Sequence, residues 1–399
     1  MSQNVAVTGV GQTGFRARWD SMTYVELAEQ AAMRALADAR LSPDDIDAVV
    51  FSMAPTHFMG VPDCDKWAVD FVGARGKPFL RVHTGGATGG SAFQAAWAQV
   101  ASGQHRRVLV VGADRITETP DAQFVLNLIW DPLYEQDFAL NTVTMTALST
   151  QRYMARHGVT EEQYARVVVR ARGNAMNNPN AHLKGRITVD DVMASRRVAW
   201  PYKLFDICPR SAGAAAVVIA DEASARELCT RPAFVTGIGA VSNTVFQGDR
   251  CVPSADCDFA EHAEVGLAAH ECYVQAGITD PAAQIQVVEM YDPFSSFQFP
   301  ELEAMGFCAR GMAARLSDEG VFDMDGRVAV GPSGGTLCTN PIGVTGLVRV
   351  ADAALQVMGR AGAMQVADVK NALATAAGGS AQFFTCTLLS DEPRRARPH

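Results

Sequence analysis

The sequence lacks the cysteine and histidine spacing of a metal site. Its nine cysteines are scattered over 399 residues, and no two of them form a CxxC motif. Cys251 and Cys257 lie close together, but no second pair is available to complete a zinc site. An odd number of scattered cysteines favours buried, reduced thiols in a cytoplasmic protein. We therefore expect no bound metal.

Long apolar runs and an excess of positive charge are also missing. No segment reaches the roughly 18 apolar residues that a membrane span requires, and the N-terminus has no basic region before an apolar stretch. The net charge is −9, so the surface as a whole repels the phosphates of nucleic acids and of anionic membranes. Neither is an expected partner, and the protein is expected to be cytoplasmic.

The sequence does contain alternating strand and helix patterns. Small and β-branched residues predict a strand over 5–10, and Ala and Leu at helical spacing predict a helix over 24–40. A strand over 79–82 and a glycine turn over 85–90 precede an alanine-rich helix. The run RVLVVG over 107–112 is almost wholly apolar, as is typical of a strand in a sheet covered on both faces.

A similar order recurs later in the chain. A helix is expected over 262–277, a strand over 285–291, a glycine turn over 331–335 and a second helix over 343–359. The period exceeds 100 residues, which indicates two like domains and not a solenoid. The alternation predicts α/β layers with sheets rich in parallel strands.

We divide the chain into two halves, 1–255 and 256–399, with an inserted loop region over about 116–201 that we expect to lie over the first half. The insertion carries most of the clustered positive charge of an acidic protein. Its basic residues are Arg152, Arg156, Arg166, Arg170, Arg172, Lys184 and Arg186. They fit either a solvated helix face or a site for a phosphorylated ligand such as coenzyme A.

Five segments, in this order, resemble the thiolase superfamily and within it the lipid-transfer or sterol-carrier branch. They are RVHTGGATGGSAFQAA over 81–96, DICPRSAGAAAVVIA over 206–220, EMYDPFSSFQFPELEAMGFCARG over 289–311, PSGGTLCTNPIGVTG over 332–346 and AAGGSAQFF over 376–384. The resemblance implies a five-layered αβαβα fold with two similar halves, a tight homodimer and an active site between the halves. It also implies coenzyme A as part of the substrate, with no separately bound cofactor.

The reactive side chains of that family are replaced in this chain. Gly86 stands where the resemblance places the nucleophilic cysteine, and glycine cannot form a covalent intermediate. Tyr291 and Pro293 stand where the family has a histidine and sometimes a second cysteine, and Asn340 replaces another histidine. The glycines and prolines that shape the loops remain, which indicates either a dead paralogue or a repurposed site.

The repurposed interpretation has a model, because the chain also resembles the thiolase-fold aldolases of bacterial steroid side-chain degradation. Those enzymes lack the cysteines, and their matching segment begins Tyr-Asp, like Tyr291-Asp292 here. The resemblance implies Tyr291 as general base, with His83, Asn340 and backbone amides near Gly86 as polarising donors. We expect the missing side chain at Gly86 to widen the cleft for a bulky substrate.

Two features complicate the assignment of proton transfer. Only about one free phenol in a thousand is ionised at pH 7, and Asp292, if close, would raise the pKa of Tyr291 further. Asparagine cannot supply a proton at this pH, so Asn340 would stabilise an enolate while the final proton comes from water, His83 or Tyr291. The remaining residues expected to contact the coenzyme A thioester are Gly86, Asp292, Gly343, Gly379 and Ser380.

The leading hypothesis is a retro-aldol lyase that acts on a branched β-hydroxyacyl-coenzyme A, plausibly of a sterol or similar lipid side chain. One alternative is acyl transfer of the acetyl-coenzyme A acetyltransferase type by an unrecognised cysteine, for which Cys338 and Cys386 lie near the loops concerned. The other alternative is a non-catalytic subunit that binds lipid-coenzyme A. The resemblance also implies a separate OB-fold and zinc-ribbon partner, with which the homodimer would form a heterotetramer.

Overall fold

The structure is a computed structural model, and it describes residues 3–54, 56–138, 140–250 and 258–394. Twelve strands lie within these residues: β1 Val5–Gln12, β2 Ala48–Ser52, β3 Phe79–Val82, β4 Arg107–Arg115, β5 Arg197–Ala199, β6 Tyr202–Lys203, β7 Ala212–Asp221, β8 Ala233–Ser242, β9 Val287–Glu289, β10 Ala329–Val330, β11 Asn371–Gly378 and β12 Phe383–Ser390. The zinc half-site considered at Cys251 and Cys257 lies outside the described residues.

Fifteen α-helices lie within the same residues: α1 Tyr24–Asp38, α2 Cys64–Ala68, α3 Thr88–Ala101, α4 Ala122–Asn127, α5 Thr142–His157, α6 Glu161–Ala175, α7 Val189–Ala194, α8 Glu222–Leu228, α9 Gln247–Arg250, α10 Ala263–Ala276, α11 Pro281–Gln284, α12 Gln298–Ala304, α13 Ala313–Asp318, α14 Gly335–Cys338 and α15 Thr345–Met358. Among these helices, none combines the length and the apolar character needed to cross a lipid bilayer.

Ten strands form one sheet in the order β10-β9-β11-β12-β8-β1-β7-β4-β2-β3. From the outer edge of the sheet inward, the first half contributes β3, β2, β4, β7 and β1, and the second half contributes β10, β9, β11, β12 and β8. In chain order within its own half, each set is the third, second, fourth, fifth and first strand of the large sheet. In each half the three outer strands are parallel to one another. The fourth strand inward pairs antiparallel with both of its neighbours in that half. This shared order confirms two similar halves, which join through antiparallel pairing of β1 with β8.

The helices cover both halves in layers. Helix α1 packs on β1, β4 and β7, and α10 packs on β8 and β12 at the opposite side of the molecule. Between them, α3 and α15 pack on each other and on strands of both halves. Thirteen of the fourteen residues of α15 are buried, as expected for a helix enclosed on all sides. The expected five-layered αβαβα arrangement is confirmed.

Two predicted elements are shorter than expected, and both changes affect the candidate site. The strand expected over 285–291 ends at Glu289, because the Tyr291 N–H donates to the Thr375 side chain at 2.9 Å and leaves the strand ladder. The helix expected over 343–359 begins at Thr345, after a 3₁₀ turn. Tyr291 therefore lies in a loop, where its ring can turn towards the other half. The expected domain boundary at 255 falls outside the described residues. The first strand of the second half, β8, lies before that boundary.

The insertion lies only partly over the first half. The inner faces of α5 and α6 share a buried core mainly with the second half of the chain. Helix α4 of the insertion packs instead on Ala54 and Phe58 of the first half. Four ion pairs add to this contact: Arg152 with Asp258, Arg156 with Glu261, Arg166 with Asp318 and Arg170 with Asp323. Three of these arginines keep 41–53% of the side chain exposed, as on a solvated helix face. Carboxylates of the second half neutralise all four, so they do not form an open phosphate site.

Candidate active site

The site begins at the glycine turn between β3 and α3. Gly85 has a φ of 62°, in the left-handed region that glycine adopts without strain. The Thr88 hydroxyl donates to the Gly85 carbonyl at 2.5 Å and accepts from the Thr84 N–H at 2.9 Å. These bonds fix the turn and place Gly86 just before a 14-residue helix. Backbone N–H groups at such a helix start favour negative charge on a ligand.

Tyr291 fills the place of a side chain at position 86. A Cβ atom built on Gly86 would lie 2.5 Å from the Tyr291 hydroxyl oxygen and 2.5 Å from the Ala377 carbonyl oxygen. Carbon and oxygen atoms do not approach this closely without a bond, so no larger residue fits beside Tyr291. The expectation that Gly86 widens the cleft is therefore wrong, because the end of the tyrosine ring occupies the vacated space.

Tyr291 is a neutral phenol at physiological pH. Its side chain is 7% exposed. Burial raises the pKa of this phenol far above its ordinary value, and the neighbouring Cys208 and Asp114 raise it further. Within the described residues its hydroxyl has no hydrogen-bond partner, so it is available to a bound ligand. In this state Tyr291 can donate a proton, but it cannot act as a pre-formed phenolate base.

Asn340 has a fixed side chain that contacts Cys208, a residue close enough to Tyr291 to raise its pKa. Its Nδ2 donates to the Cys208 sulfur at 3.1 Å, and its Oδ1 accepts from the Thr345 hydroxyl at 2.8 Å. Its backbone N–H donates to the Ser211 hydroxyl at 3.0 Å. The amide carries two N–H donors, so one remains for a ligand after the bond to Cys208.

Cys208 is a site residue that sequence reasoning did not assign to the site. The fold brings it to Asn340, and burial raises its pKa to about 12, so the thiol stays protonated. The only signal was its position in the family-like segment over 206–220. Cys338 and Cys386, by contrast, are fully buried in the apolar core of the second half. Burial also raises the pKa of Cys338 to about 12.

Gly343 and Asp292 have structural partners in the same region. The buried carboxylate of Asp114 accepts the backbone N–H groups of Ala54, Gly343 and Val344, which holds the loop after Asn340 against the end of β2. A Cβ atom on Gly343 would lie 2.3 Å from the Ala54 nitrogen. Close backbone packing thus accounts for the glycine.

The Asp292 side chain is bonded to partners within the second half. Its carboxylate accepts the Thr336 N–H at 2.8 Å and the Gln298 side-chain amide at 2.7 Å, which ties α14, just before Asn340, to α12. Burial raises the pKa of Asp292 to about 6. Its bonded partners give it a role in loop structure.

His83 lies three residues before Gly86 on an exposed part of the chain. Partial burial of the ring, followed by the charge of Arg81, lowers the pKa of His83 below its usual range. The ring makes no hydrogen bond within the described part of the chain. The structure thus gathers Gly86, Tyr291, Cys208 and Asn340, while no contact ties His83 to them.

Gly379 and Ser380 form a second turn against the first. A Cβ atom on Gly85 would lie 2.8 Å from the Gly379 nitrogen, and one on Gly378 would lie 2.6 Å from the Gly86 nitrogen. The two turns therefore touch through their backbones. The Ser380 hydroxyl is buried and has no hydrogen-bond partner in the part of the chain that is described. Backbone N–H groups from both halves can face a ligand here.

Comparison with known proteins gives matches along nearly the whole chain. Residues 5–193 match the family described as "Thiolase, N-terminal domain", and 253–391 match "Thiolase C-terminal domain-like". An acetyl-CoA acetyltransferase of Methanothermobacter thermautotrophicus is 31% identical over 380 residues, which is 95% of this chain and 97% of the relative. The 17-hydroxy-3-oxo-4-pregnene-20-carboxyl-CoA lyase of Mycobacterium tuberculosis is 29% identical over 95% of this chain and 97% of that protein.

A solved structure called "Ltp2-ChsH2(DUF35) aldolase" superposes with a TM-score of 0.81. It is 28% identical in sequence, and the superposition covers 97% of each chain.

Proposed function

The chain belongs to the thiolase family and is an enzyme, and from this premise we propose that it cleaves a carbon–carbon bond by a retro-aldol reaction. The substrate is a branched β-hydroxyacyl-coenzyme A that carries a sterol or similar lipid side chain. The contact of Tyr291 with Gly86 carries the proposal, because it excludes a nucleophile at position 86 and puts a proton-transfer group there. A coenzyme A lyase and an aldolase among similar proteins support this reaction class.

The thioester carbonyl is proposed to lie between the free N–H of Asn340 and the backbone N–H groups at Gly86 and Gly379. Cleavage turns this carbonyl into an enolate, and donors aimed at the developing charge are worth roughly 3–4 kcal/mol each. The bonds from Asn340 to Cys208 and Thr345 keep its amide in one orientation. Gly343 supports the segment after Asn340, and Asp292 supports the segment before it. Ser380 lines the turn at Gly379.

A neutral phenol suits a concerted proton relay. The β-hydroxyl proton of the substrate moves to the Tyr291 oxygen as the bond between the α- and β-carbons breaks and a ketone forms. The phenol proton moves to the α-carbon of the enolate, which yields the shortened acyl-coenzyme A. Tyr291 begins and ends neutral, as its raised pKa requires. His83 or water remains a second candidate for the final proton.

The test is release of ketone and acyl-coenzyme A from a branched β-hydroxyacyl-coenzyme A by the purified protein. We expect Tyr291→Phe to lower kcat at least about 100-fold, as for loss of an acid–base group. Tyr273→Phe is the matched control, because Tyr273 is a buried tyrosine whose hydroxyl donates to the Met305 carbonyl in the outer layer. If both variants cleave as fast as the unmodified protein, the role of Tyr291 is refuted.

Acyl transfer is the second candidate, favoured by the acetyltransferase relative and by Cys208 at Asn340. A thiol with a pKa near 12 holds almost no thiolate at pH 7, which disfavours it as a nucleophile. Cys208→Ser keeps a partner for Asn340 but removes the thiol. Retained ketone release in this variant supports the retro-aldol proposal, and complete loss together with acyl transfer by the unmodified protein supports the alternative. Thioester binding without any turnover would indicate a non-catalytic subunit.

The assembly is proposed to be a homodimer that binds a separate OB-fold and zinc-ribbon protein to form a heterotetramer. The support is the solved aldolase, whose name joins Ltp2 to a ChsH2(DUF35) component. Co-expression with the DUF35-type protein of the same host, followed by light scattering on a sizing column, measures the stoichiometry. A chain that remains alone after co-expression contradicts the heterotetramer.

A further inference from the structure

The turn after β11 contains three consecutive residues with left-handed backbone. Gly379, Ser380 and Ala381 have φ angles of 58°, 58° and 61°. Glycine adopts this region freely, but serine and alanine adopt it only where surrounding contacts hold them. The fold must therefore stabilise this turn at Ser380 and Ala381.

Arg250 provides these contacts. Its guanidinium donates to the Ser380 carbonyl at 2.7 Å and to the Ala381 carbonyl at 3.1 Å. It also donates to the Thr244 carbonyl, in the segment that follows β8. A guanidinium presents five N–H donors in a rigid planar fork, so it can join three carbonyls at once. A lysine ammonium on a flexible stem cannot reproduce this arrangement.

The same segment holds the turn at a second point. Ser242 of β8 pairs with Phe383, and the next residue, Asn243, donates its backbone N–H to the Gln382 carbonyl at 2.7 Å. The Gln382 N–H in turn donates to the Gly378 carbonyl at 2.9 Å. Arg250 thus completes a set of bonds that begins in the sheet and ends at the strained residues.

We propose that Arg250 is a positioning residue for the candidate active site. By holding the carbonyls of Ser380 and Ala381, it keeps the Gly379 turn pressed against the Gly86 turn, where the two backbones touch. It thereby fixes the backbone N–H groups that face the thioester. The expected effect on turnover rests on the proposed function, but the structural role of Arg250 can be measured without turnover.

The test compares Arg250→Ala, Arg250→Lys and the double variant Arg250→Ala with Ala381→Gly. Amide hydrogen exchange over 378–383 reports the turn, and ketone release reports the chemistry. We expect Arg250→Ala to accelerate exchange and to lower kcat about 10- to 100-fold with little change in KM, as for displaced catalytic groups. Arg250→Lys should resemble it. Glycine at 381 should recover much of both losses, because it adopts the left-handed backbone without strain.

Arg315→Ala is the control, because Arg315 pairs on an exposed helix surface with Glu319 and should change neither measurement. A guanidinium that acts through its charge, for example on a phosphate, predicts the reverse pattern: lysine restores function, glycine does not, and KM rises. That pattern overturns the proposal. If the exchange results hold while even the unmodified protein releases no ketone, the retro-aldol function fails and the role of Arg250 stands. Unchanged exchange in Arg250→Ala refutes the positioning role in every case.

Discussion

At the scale of single residues, the candidate site depends on the fit between Gly86 and Tyr291. The absent nucleophile at Gly86 by itself says only that this position cannot hold a covalent acyl intermediate. The hydroxyl of Tyr291 occupies the space of the missing side chain. Glycine at position 86 therefore also allows the tyrosine to reach the start of the helix. The two residues act as one unit, so substitutions at the two positions should be energetically coupled.

Gly86→Ala should lower the free energy of unfolding by about 1–3 kcal/mol, as overpacked sites do. Tyr291→Phe removes the hydroxyl that clashes with the new methyl group, so the double variant should regain part of this loss. Recovery stays partial because the Ala377 carbonyl is also 2.5 Å from the new carbon. Denaturant unfolding of the two single variants and the double variant measures the coupling, and strictly additive effects would contradict the contact.

The raised pKa of Tyr291 predicts the pH dependence of turnover. If ionised phenolate were the base, kcat would rise tenfold per pH unit up to the pKa. A relay through neutral phenol needs the protonated form, which is fully populated below that pKa. We therefore expect kcat to be flat from pH 7 to 9, and a steady rise over this range in initial-rate measurements would exclude the relay.

At the scale of elements, helix α15 is tied to both halves by a buried ionic network. Arg349 donates to Glu289 of β9 at 2.8 Å and to Asp352 at 3.1 Å, and Asp352 accepts from Gln12 of β1 at 2.7 Å. Burial raises the pKa of Glu289 to about 7, against the opposing charge of Arg349. The network links the first strand, the central helix and the strand that precedes Tyr291, so it fixes where the loop of Tyr291 begins.

Arg349→Met should destabilise the protein by about 3–5 kcal/mol, because it leaves two buried carboxylates without their cation. Arg315→Met is the matched control, since its exposed pair with Glu319 contributes at most a fraction of that. Urea unfolding is measured at pH 8, where ionisation of both carboxylates is favoured. The difference in the free energy of unfolding between the two variants should be largest at this pH. Equal unfolding midpoints for the two variants would show that the network is not needed for stability.

At the scale of the whole molecule, the insertion exposes an apolar surface over 124–138. Leu133 is 78% exposed, Tyr134 68%, Phe138 65% and Phe124 61%. Buried residues behind this surface, including Val125, pack with Ile342, two residues beyond Asn340. Soluble monomers seldom expose several large apolar side chains within one short segment, so this surface fits the interface of the proposed homodimer.

The double variant Leu133→Asp with Phe138→Asp should shift the homodimer towards monomer, since a dimer interface of apolar residues does not tolerate buried charge. Leu267→Asp is the control, because Leu267 is 58% exposed on the outer helix α10. Light scattering on a sizing column measures the mass. A dimer that persists equally in both variants would place the interface elsewhere.

The sequence alone was sufficient for the features that depend on near neighbours in the chain. Apolar runs and helical spacing predicted β1, α1, β4 and α15 to within a few residues, because strand and helix periodicities repeat over two to four positions. The duplicated order of elements indicated two similar halves. The glycine at position 86 excluded covalent chemistry there without any coordinates, since the residue has no side chain to react.

Only the tertiary structure decided which distant residues meet. It placed the Tyr291 hydroxyl at Gly86, Cys208 at Asn340 across 132 positions of sequence, and the arginines of the insertion on carboxylates of the second half. Such contacts depend on how the central helices hold the two halves of the sheet together. A pattern of neighbouring residues does not encode which distant segments this arrangement brings into contact. Burial at those contacts is also what keeps the Tyr291 phenol and the Cys208 thiol protonated, because a charge separated from water is unfavourable.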